Sequence, residues 1–390
     1  MPADSSFEPD GPAAAAAMLA HAAAEHMALV PRGSGTKLRG DSAPASYIST
    51  RHLTSGLAHY AGDLVATAPA GCTLREVNDA LGRERQWIPL DPPFGDRATI
   101  GGIVASNDSG PRRHRFGSPR DLVIGIQVAL TNGSVAHSGG RVVKNVAGYD
   151  LGRLFCGSLG SLGLITSVTF KLAPIAPAAR TVVARFARAA DAAAAAIDLA
   201  VSASLTPSAL EVIAPAPDSR LLVRFDSTLQ SAERMAASAA SLLATRNADI
   251  VILDEEAAAA TWADHQSRES AGDGLVGMVS VLPTATAAAC DMIERLAADS
   301  GVGWALTGRA ALGVLRVHAT GDAAGLRRFA AALRAAVTAQ TGHVQFVVGA
   351  GVLGQAIDPR GPVGSAAAVG LAVKQRFDPA GVLPYSWAQS

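Results

Sequence analysis

Three short runs dense in small residues dominate the first half of the chain: RGSGTK (32–37), ATIGGIVASNDSG (98–110) and GSLGSLGLIT (157–166). Each lies beside a stretch with β character. Glycine tolerates positive φ, so successive backbone N–H groups in such a bend can turn toward one concavity and hold an anion. Three such bends favour a chain that lays its backbone close along an elongated ligand in a groove.

The first bend needs care. LVPRGS, Leu29 to Ser34, reads like the protease-cleavage linker of expression vectors, and such scars are excluded before fold reasoning. Here it sits between a helix-prone run, PAAAAAMLAHAAAEH (12–26), and a long continuous domain, with β-like MALV in front and Pro31 and glycines as breakers. That placement favours a native segment. Two nucleotide motifs nearly match. A Walker A loop needs GxxxxGK followed by Ser or Thr, which is absent. A Rossmann loop needs GxGxxG opening a helix, but Gly40 is displaced and no acidic ribose ligand follows. By itself GSGT is as compatible with an ordinary turn as with an anion loop; the other two bends favour the latter.

Around these bends the local signals are mixed. DLVATAPAG (63–71) alternates like a strand. TLREVNDALGRERQ (73–86) reads as an amphipathic helix with Thr73 as N-cap and Glu76 completing a capping box. WIPLDPPFGD leads into what reads as a Gly/Asn/Ser-rich loop. Asn132-Gly133 between two alternating runs predicts a hairpin, and GLITSVTFKLAP another strand, with Pro174 and Pro177 marking a boundary. Beyond residue 178, strand-like pieces (TVVARFA, LLVRFDS, LVGMVSVLP, ALGVLRVHA, VQFVVGA) alternate with Ala-rich helical runs at 191–204, 229–245, 284–299 and 322–340. This predicts an α+β layer, helices on one side of a sheet, in the form of two split βαβ units. A last helix stops at Asp378-Pro379 and Gly381. The expected domains are 1–177, 178–350 and a C-terminal segment, 351–390.

Composition narrows the function. With 33 basic and 33 acidic residues the net charge is zero, so nothing suggests a nucleic-acid footprint or a polybasic membrane surface; the basic run Arg112, Arg113, Arg115 is local. Cys72, Cys156 and Cys290 lack CxxC spacing, which argues against disulfide, zinc or iron–sulfur frameworks. No run of about 18 strongly apolar residues predicts a membrane span, and the acidic start lacks the basic opening of a secretory signal. A cytoplasmic protein is expected, or one held at the inner membrane face through partners.

RGSGTK, LDPPFGDRATIGGIVASNDSG, FGSPRDLVIG and VKNVAGYDLGRLFCGSLGSLGLIT together resemble the FAD-binding domain of the vanillyl-alcohol oxidase/PCMH-type flavoprotein superfamily, and most specifically the E-type FAD-binding subunits of bacterial glycolate oxidases. GPRR, GSPRD and KNVAGYDL discriminate. The likeness is strong over 28–174 and at the C-terminal helix. It implies a two-subdomain PCMH-type FAD-binding domain, an α+β cap of ferredoxin-like units on the substrate side, and a C-terminal helix returning to the FAD domain. Arg32, Gly33, Ser34, Gly35, Thr36 and Lys37 would bind the pyrophosphate. Pro92, Thr99, Gly101, Gly102, Ser106, Asn107 and Gly110 would line the pyrophosphate and flavin side. Gly160, Ser161, Gly163 and Ile165 would hold the adenosine or ribityl end. Arg120 and Asp121 would brace the loops; Tyr149 and Asp150 would be structural or at the flavin edge.

Departures from the family refine this. Thr36 stands where covalent members carry a histidine, and Arg97-Ala98-Thr99 where some use a cysteine, so FAD is expected to be noncovalent. The metal-binding HxGDGNxH segment of catalytic relatives is absent, His318 and His343 are isolated, and FDPAGVLPYSW lacks the family's Asn, so no metal is expected and no catalytic residue is identified. The resemblance therefore implies a subunit of a glycolate oxidase-type 2-hydroxy-acid dehydrogenase, beside a catalytic flavoprotein and an iron–sulfur subunit. The alternatives are a stand-alone FAD-dependent 2-hydroxy-acid or alcohol dehydrogenase, with Arg224, Arg316 or Trp304 as candidates, and a non-redox FAD-binding scaffold.

Overall fold

The computed structural model describes residues 5–38, 46–140, 150–215, 219–270, 274–361, 364 and 366–384. The chain divides into two compact units. One comprises 1–110, 116–175 and 363–390; the other comprises 111–115 and 176–362. The sequence placed 111–115 in the first domain. It joins the second because Arg112 pairs with the Asp226 carboxylate at 2.9 Å and Arg115 donates to the Asp226 carbonyl at 3.1 Å.

The first unit begins with strand β1 (Ser5–Phe7) and helix α1 (Pro12–Ala24), which buries Ala15, Ala16, Leu19 and Ala22. Pro12 lies in its first turn, where the missing N–H costs nothing. Strands β2 (Val30–Arg32) and β3 (Ser46–Ser49) complete a parallel sheet in the order β1-β3-β2. LVPRGS is thus part of a fold element: Leu29 and Val30 are buried and Arg32 ends the strand.

Strands β4 (Ala58–Tyr60) and β5 (Val65–Pro69) precede α2 (Leu74–Leu81), whose Thr73–Glu76 capping box forms as the sequence predicts. After β6 (Gln86–Trp87) comes α3 (Ile100–Ser106). Here the expectation of a loop fails. The glycines at 101 and 102 and the terminal serine lower helix propensity, but burial of Ile100, Ile103 and Val104 and the Thr99 N-cap override it. Short helices α4 (Arg113–Phe116) and α5 (Pro119–Leu122) lead to the predicted hairpin, β7 (Val123–Ala129) and β8 (Val135–Gly139), with Gly133 at φ +83° in its turn. Helix α6 (Leu151–Phe155), β9 (Leu164–Lys171) and β10 (Ala173–Pro174) follow. The antiparallel order is β4-β5-β9-β7-β8, with β10 paired to β6.

The second unit carries one eight-stranded antiparallel sheet. Its first half is β11 (Ala178–Phe186), α7 (Ala189–Val201), β12 (Ala209–Ala214), β13 (Ser219–Ser227), α8 (Leu229–Ala244) and β14 (Asp249–Leu253). Helix α9 (Glu255–Glu269) then connects to β15 (Leu275–Ser280), α10 (Thr286–Ser300), β16 (Gly303–Arg309), β17 (Val314–Thr320), α11 (Ala323–Ala339) and β18 (His343–Val348). The strand order β14-β11-β13-β12-β16-β17-β15-β18 is two split βαβ units joined where β12 pairs with β16. Period-two alternation sorts side chains between the sheet's faces. Val182, Leu210, Val212, Leu221, Val223 and Phe225 pack in the main core with residues of α7, α8, α10 and α11. Val183, Ile213 and Leu222 form a smaller cluster with Leu253 and with Trp262 of α9. The linking helix and strands β12, β14 and β16 are the elements that sequence patterning missed.

Helix α12 (Ala366–Phe377) belongs to the first unit. Phe377 meets Phe155 edge-on with ring centroids 5.5 Å apart. Asp378 accepts the Val382 and Leu383 amides at 2.9 and 2.8 Å, and the Val382 carbonyl accepts Leu29 N–H at 2.7 Å. Among the described residues no helix is long and apolar enough to cross a membrane.

Candidate functional site

The three bends meet in the first unit. A Cβ on Gly33 would lie 2.2 Å from Thr99 Oγ1, so only glycine lets the first bend approach the second this closely. At φ +76°, Gly160 brings the third bend against Pro31, whose ring would lie 2.9 Å from an added Cβ. The Leu159 amide donates to the Ala105 carbonyl at 2.7 Å, tying the third bend to α3. A cleft of about 620 Å³ of empty space, solvent at its mouth included, is lined by segments 31–38, 99–106 and 159–165 together with Thr50.

Arg32, Gly33, Ser34, Gly35, Thr36, Lys37, Thr99, Gly101, Gly102, Ser106, Gly160, Gly163 and Ile165 all line this cleft. Pro92, Asn107, Gly110 and Ser161 are not among its lining residues. Pro92 is buried. Asn107 caps α3 at φ +50° and accepts from the Arg120 amide and the Cys156 thiol. Gly110 is packed so tightly that a Cβ would meet the Asp91 carbonyl at 1.8 Å. Ser161 turns its hydroxyl to the Ser158 carbonyl, while its own carbonyl accepts the Lys374 ammonium at 2.7 Å. Lys374 also reaches the Leu383 carbonyl and Asp378, so the C-terminal segment fixes the third bend. Leu159, Leu164, Ala105, Thr50 and Leu38 line the cleft without having been singled out in the sequence; apolar lining residues carry no local signature.

The bends are chemically unequal. Backbone amides of Gly33, Ser34, Gly35, Thr36 and Lys37 take no hydrogen-bond acceptor among the described residues, and Gly35 has φ +82°. A consecutive row of such donors suits a phosphate. In the second bend the early amides of α3 are engaged: Ile100 with the Cys72 carbonyl, Gly101 with the Ala70 carbonyl and Gly102 with Thr99 Oγ1. Its contribution is close-approach surface, because the helix start is docked on segment 70–72.

The two flanking cations also differ. Arg32 lies over the Tyr47 ring at 4.7 Å, with its guanidinium beside Gly35, and forms no ion pair among the described residues. Lys37, expected to bind phosphate, is instead committed: its ammonium pairs with Asp108 at 2.7 Å and donates to the Pro93 carbonyl. Its side chain is only 9% exposed, so it acts as a strut that holds the end of the first bend against the segment after α3. Replacing Lys37 with methionine is expected to weaken FAD binding about tenfold, roughly the loss of one charge-assisted tether. Equilibrium flavin titration of the apoprotein measures it; unchanged affinity would reduce Lys37 to a filler of the cleft wall.

The bracing residues are local. Asp121 accepts the Ser118 amide and hydroxyl at 2.8 Å, and the Arg120 amide caps Asn107. Asp150 is exposed and N-caps α6. Tyr149 and most of KNVAGYDL lie outside the described residues. In the second unit, Arg224 bridges Asp226 and Glu255, and Trp304 is partly buried against the main core. His343 is exposed and His318 half-buried. The sequence pointed to no metal group, yet the fold assembles one cluster of potential ligands: Glu211, His265 and Glu269, mutually within 4.8 Å. Two signals could have flagged it. His265 and Glu269 stand one helical turn apart, and Glu211 is the lone charge in the apolar strand ALEVIA.

A parallel three-stranded sheet, an antiparallel five-stranded sheet and a bend-lined cleft give the first unit a PCMH-like fold. Residues 3–139 match the family model described as FAD binding domain. The sequence is 38% identical over 135 residues to glycolate oxidase subunit GlcD of Bacillus subtilis, covering 34% of this chain and 29% of that protein. It is 46% identical over 99 residues to glycolate oxidase subunit GlcE of Escherichia coli, covering 25% and 28%. D-lactate dehydrogenase of Archaeoglobus fulgidus is 36% identical over 132 residues, covering 33% and 29%. The chain thus spans less than a third of the length of the curated relatives it matches. A solved alkyldihydroxyacetonephosphate synthase superposes with TM-score 0.74 over 99% of this chain and 77% of that one at 15% identity, which establishes the fold. FAD is the cofactor, and when bound it supplies the redox chemistry while the protein binds and orients it.

Proposed function

We propose that this chain is the FAD-binding, E-type subunit of a glycolate oxidase-type 2-hydroxy-acid dehydrogenase, passing electrons with a catalytic flavoprotein and an iron–sulfur subunit. The observation that carries the flavin part is that residues 33–37 line the shared cleft with backbone amides that take no acceptor among the described residues. Identity to the GlcE and GlcD subunits supports the subunit part. So does the lack of the HxGDGNxH segment and of cysteine clusters in the sequence, since substrate oxidation and onward transfer then fall to partners. In this reading Arg32 and the 33–37 amides hold the pyrophosphate, while Gly101, Gly102, Gly160 and Gly163 let the backbone run close to the cofactor. Thr36 leaves the flavin noncovalent.

The purified protein is expected to show flavin bands that pass to the supernatant on acid precipitation. It is expected to reduce an artificial acceptor with glycolate or D-lactate only after mixing with the two partner subunits. Turnover by the isolated chain would replace this reading with a self-contained dehydrogenase. A colourless protein that takes up no added FAD would leave a scaffold. Flavin retained in the pellet would refute noncovalent binding.

A further inference from the structure

Most hydroxyls in the wall of the cleft are already satisfied by the protein. Ser34 and Thr36 share a hydrogen bond at 3.2 Å, Thr99 Oγ1 accepts the Gly102 amide at 3.3 Å, and Ser106 donates to the Gly102 carbonyl at 2.8 Å. Thr50 lines the same cleft and differs. Its Oγ1 is buried and has no hydrogen-bond partner among the described residues. Of the buried side-chain atoms left in that condition among the described residues, only Thr50 Oγ1 belongs to a residue lining the cleft.

The fold fixes where this hydroxyl sits. Strands β2 and β3 run parallel with Arg32 beside Ser49, so Thr50 is the first residue past that pairing, alongside the start of the first bend. Its amide donates to the Arg32 carbonyl at 2.9 Å, and its carbonyl accepts the Leu53 amide at 2.9 Å. Gly71 closes on the same carbonyl: a Cβ there would lie 2.0 Å from the oxygen. The Ala70 carbonyl in turn accepts the Gly101 amide at 2.9 Å. Thr50 is therefore tied directly to the first bend, and to the second through segment 70–71. With its backbone held on these sides, the freedom left to Thr50 is rotation about Cα–Cβ, which exchanges hydroxyl and methyl among staggered positions.

A buried hydroxyl without a partner has given up its water hydrogen bonds for nothing, and that is unfavourable. For filling the wall alone, a valine of the same shape is the better residue. We propose that Thr50 is a further FAD-binding residue, whose hydroxyl turns into the cleft and donates to an acceptor oxygen of the bound cofactor. This rests on the reading that the cleft holds FAD with its pyrophosphate against the first bend. Beside Arg32 and the amides of 33–37, the hydroxyl adds a neutral donor to a set that already suits phosphate oxygens.

Equilibrium titration of the full-length apoprotein with FAD, run beside thermal denaturation of the same apoprotein, tests this. Thr50→Val is expected to weaken FAD binding about tenfold, the loss that accompanies one hydrogen bond to a charged acceptor. It is not expected to lower the melting temperature of the apoprotein, because the methyl group that replaces the hydroxyl forgoes no partner there. Thr50→Ser keeps the donor and is expected to bind FAD within about twofold of the parent. A Thr50→Val protein that binds FAD like the parent overturns the proposal. So does a Thr50→Val apoprotein that melts lower, which would give the hydroxyl a partner inside the protein. A serine variant as weak as the valine one would make methyl packing, and not the hydroxyl, the source of the effect, and overturns it too. A parent protein that takes up no FAD would overturn the cofactor reading itself, and the role of Thr50 with it.

Discussion

Replacing Gly35 with valine is expected to strip FAD from the protein while leaving the second unit folded. Gly35 sits at φ +82°, in the left-handed region that L-residues enter at a cost of about 1–2 kcal/mol, and a β-branched residue fits worse. Little steric room is at issue: the nearest atoms to an added Cβ are those of Arg32 at 3.5 Å and beyond. The effect is conformational. Moving residue 35 to negative φ redirects the run of N–H groups from 33 to 37 and displaces the Arg32 guanidinium beside it. A loss of about 2.7 kcal/mol corresponds to a hundredfold weaker complex, enough for flavin to be lost in purification. The measurement is the flavin-to-protein absorbance ratio, with Gly62→Ala as control, since that glycine has no neighbour within 4 Å and no positive φ. A Gly35→Val protein that keeps stoichiometric FAD would remove the first bend from the site.

The second large effect is expected at Arg309. Changing it to methionine leaves Glu269 buried without the guanidinium that pairs with it. Breaking a buried pair by removing one partner costs about 3–5 kcal/mol. A urea transition followed by fluorescence of Trp262 and Trp304, both in the second unit, should move to lower denaturant by a corresponding amount. The double change Arg309→Met with Glu269→Leu is expected to recover part of that loss, because it removes both members of the buried pair, a charge of each sign. A single variant as stable as the parent would mean that water reaches the cluster, contrary to its near-complete burial.

Much of this architecture is legible locally. The Thr73–Glu76 capping box, the Asn132-Gly133 turn and the stop at Asp378-Pro379 are decided within a few residues, because caps and turns depend on neighbouring backbone groups. The two split βαβ units follow from alternating periodicities of strand and helix. The α3 helix was misread because its glycines signal a loop, while the burial that stabilises it comes from distant residues. Helix α9 was missed because its contacts with the sheet are largely ion pairs and hydrogen bonds, which leave no apolar stripe.

The chain's residues alone specify three bends able to expose backbone donors and the chemistry of an anion-binding row. Tertiary structure decides which donors remain available: α3 consumes its own on the Ala70 and Cys72 carbonyls, Lys37 is drawn to Asp108, and the amides of Gly33–Lys37 take no acceptor among the described residues. It also decides that Glu211, 54 residues before His265 in the chain, meets that histidine in the buried interior. A hydrogen bond or an ion pair depends on which groups the folded backbone brings within about 3 Å, and sequence spacing does not encode that distance across separate elements.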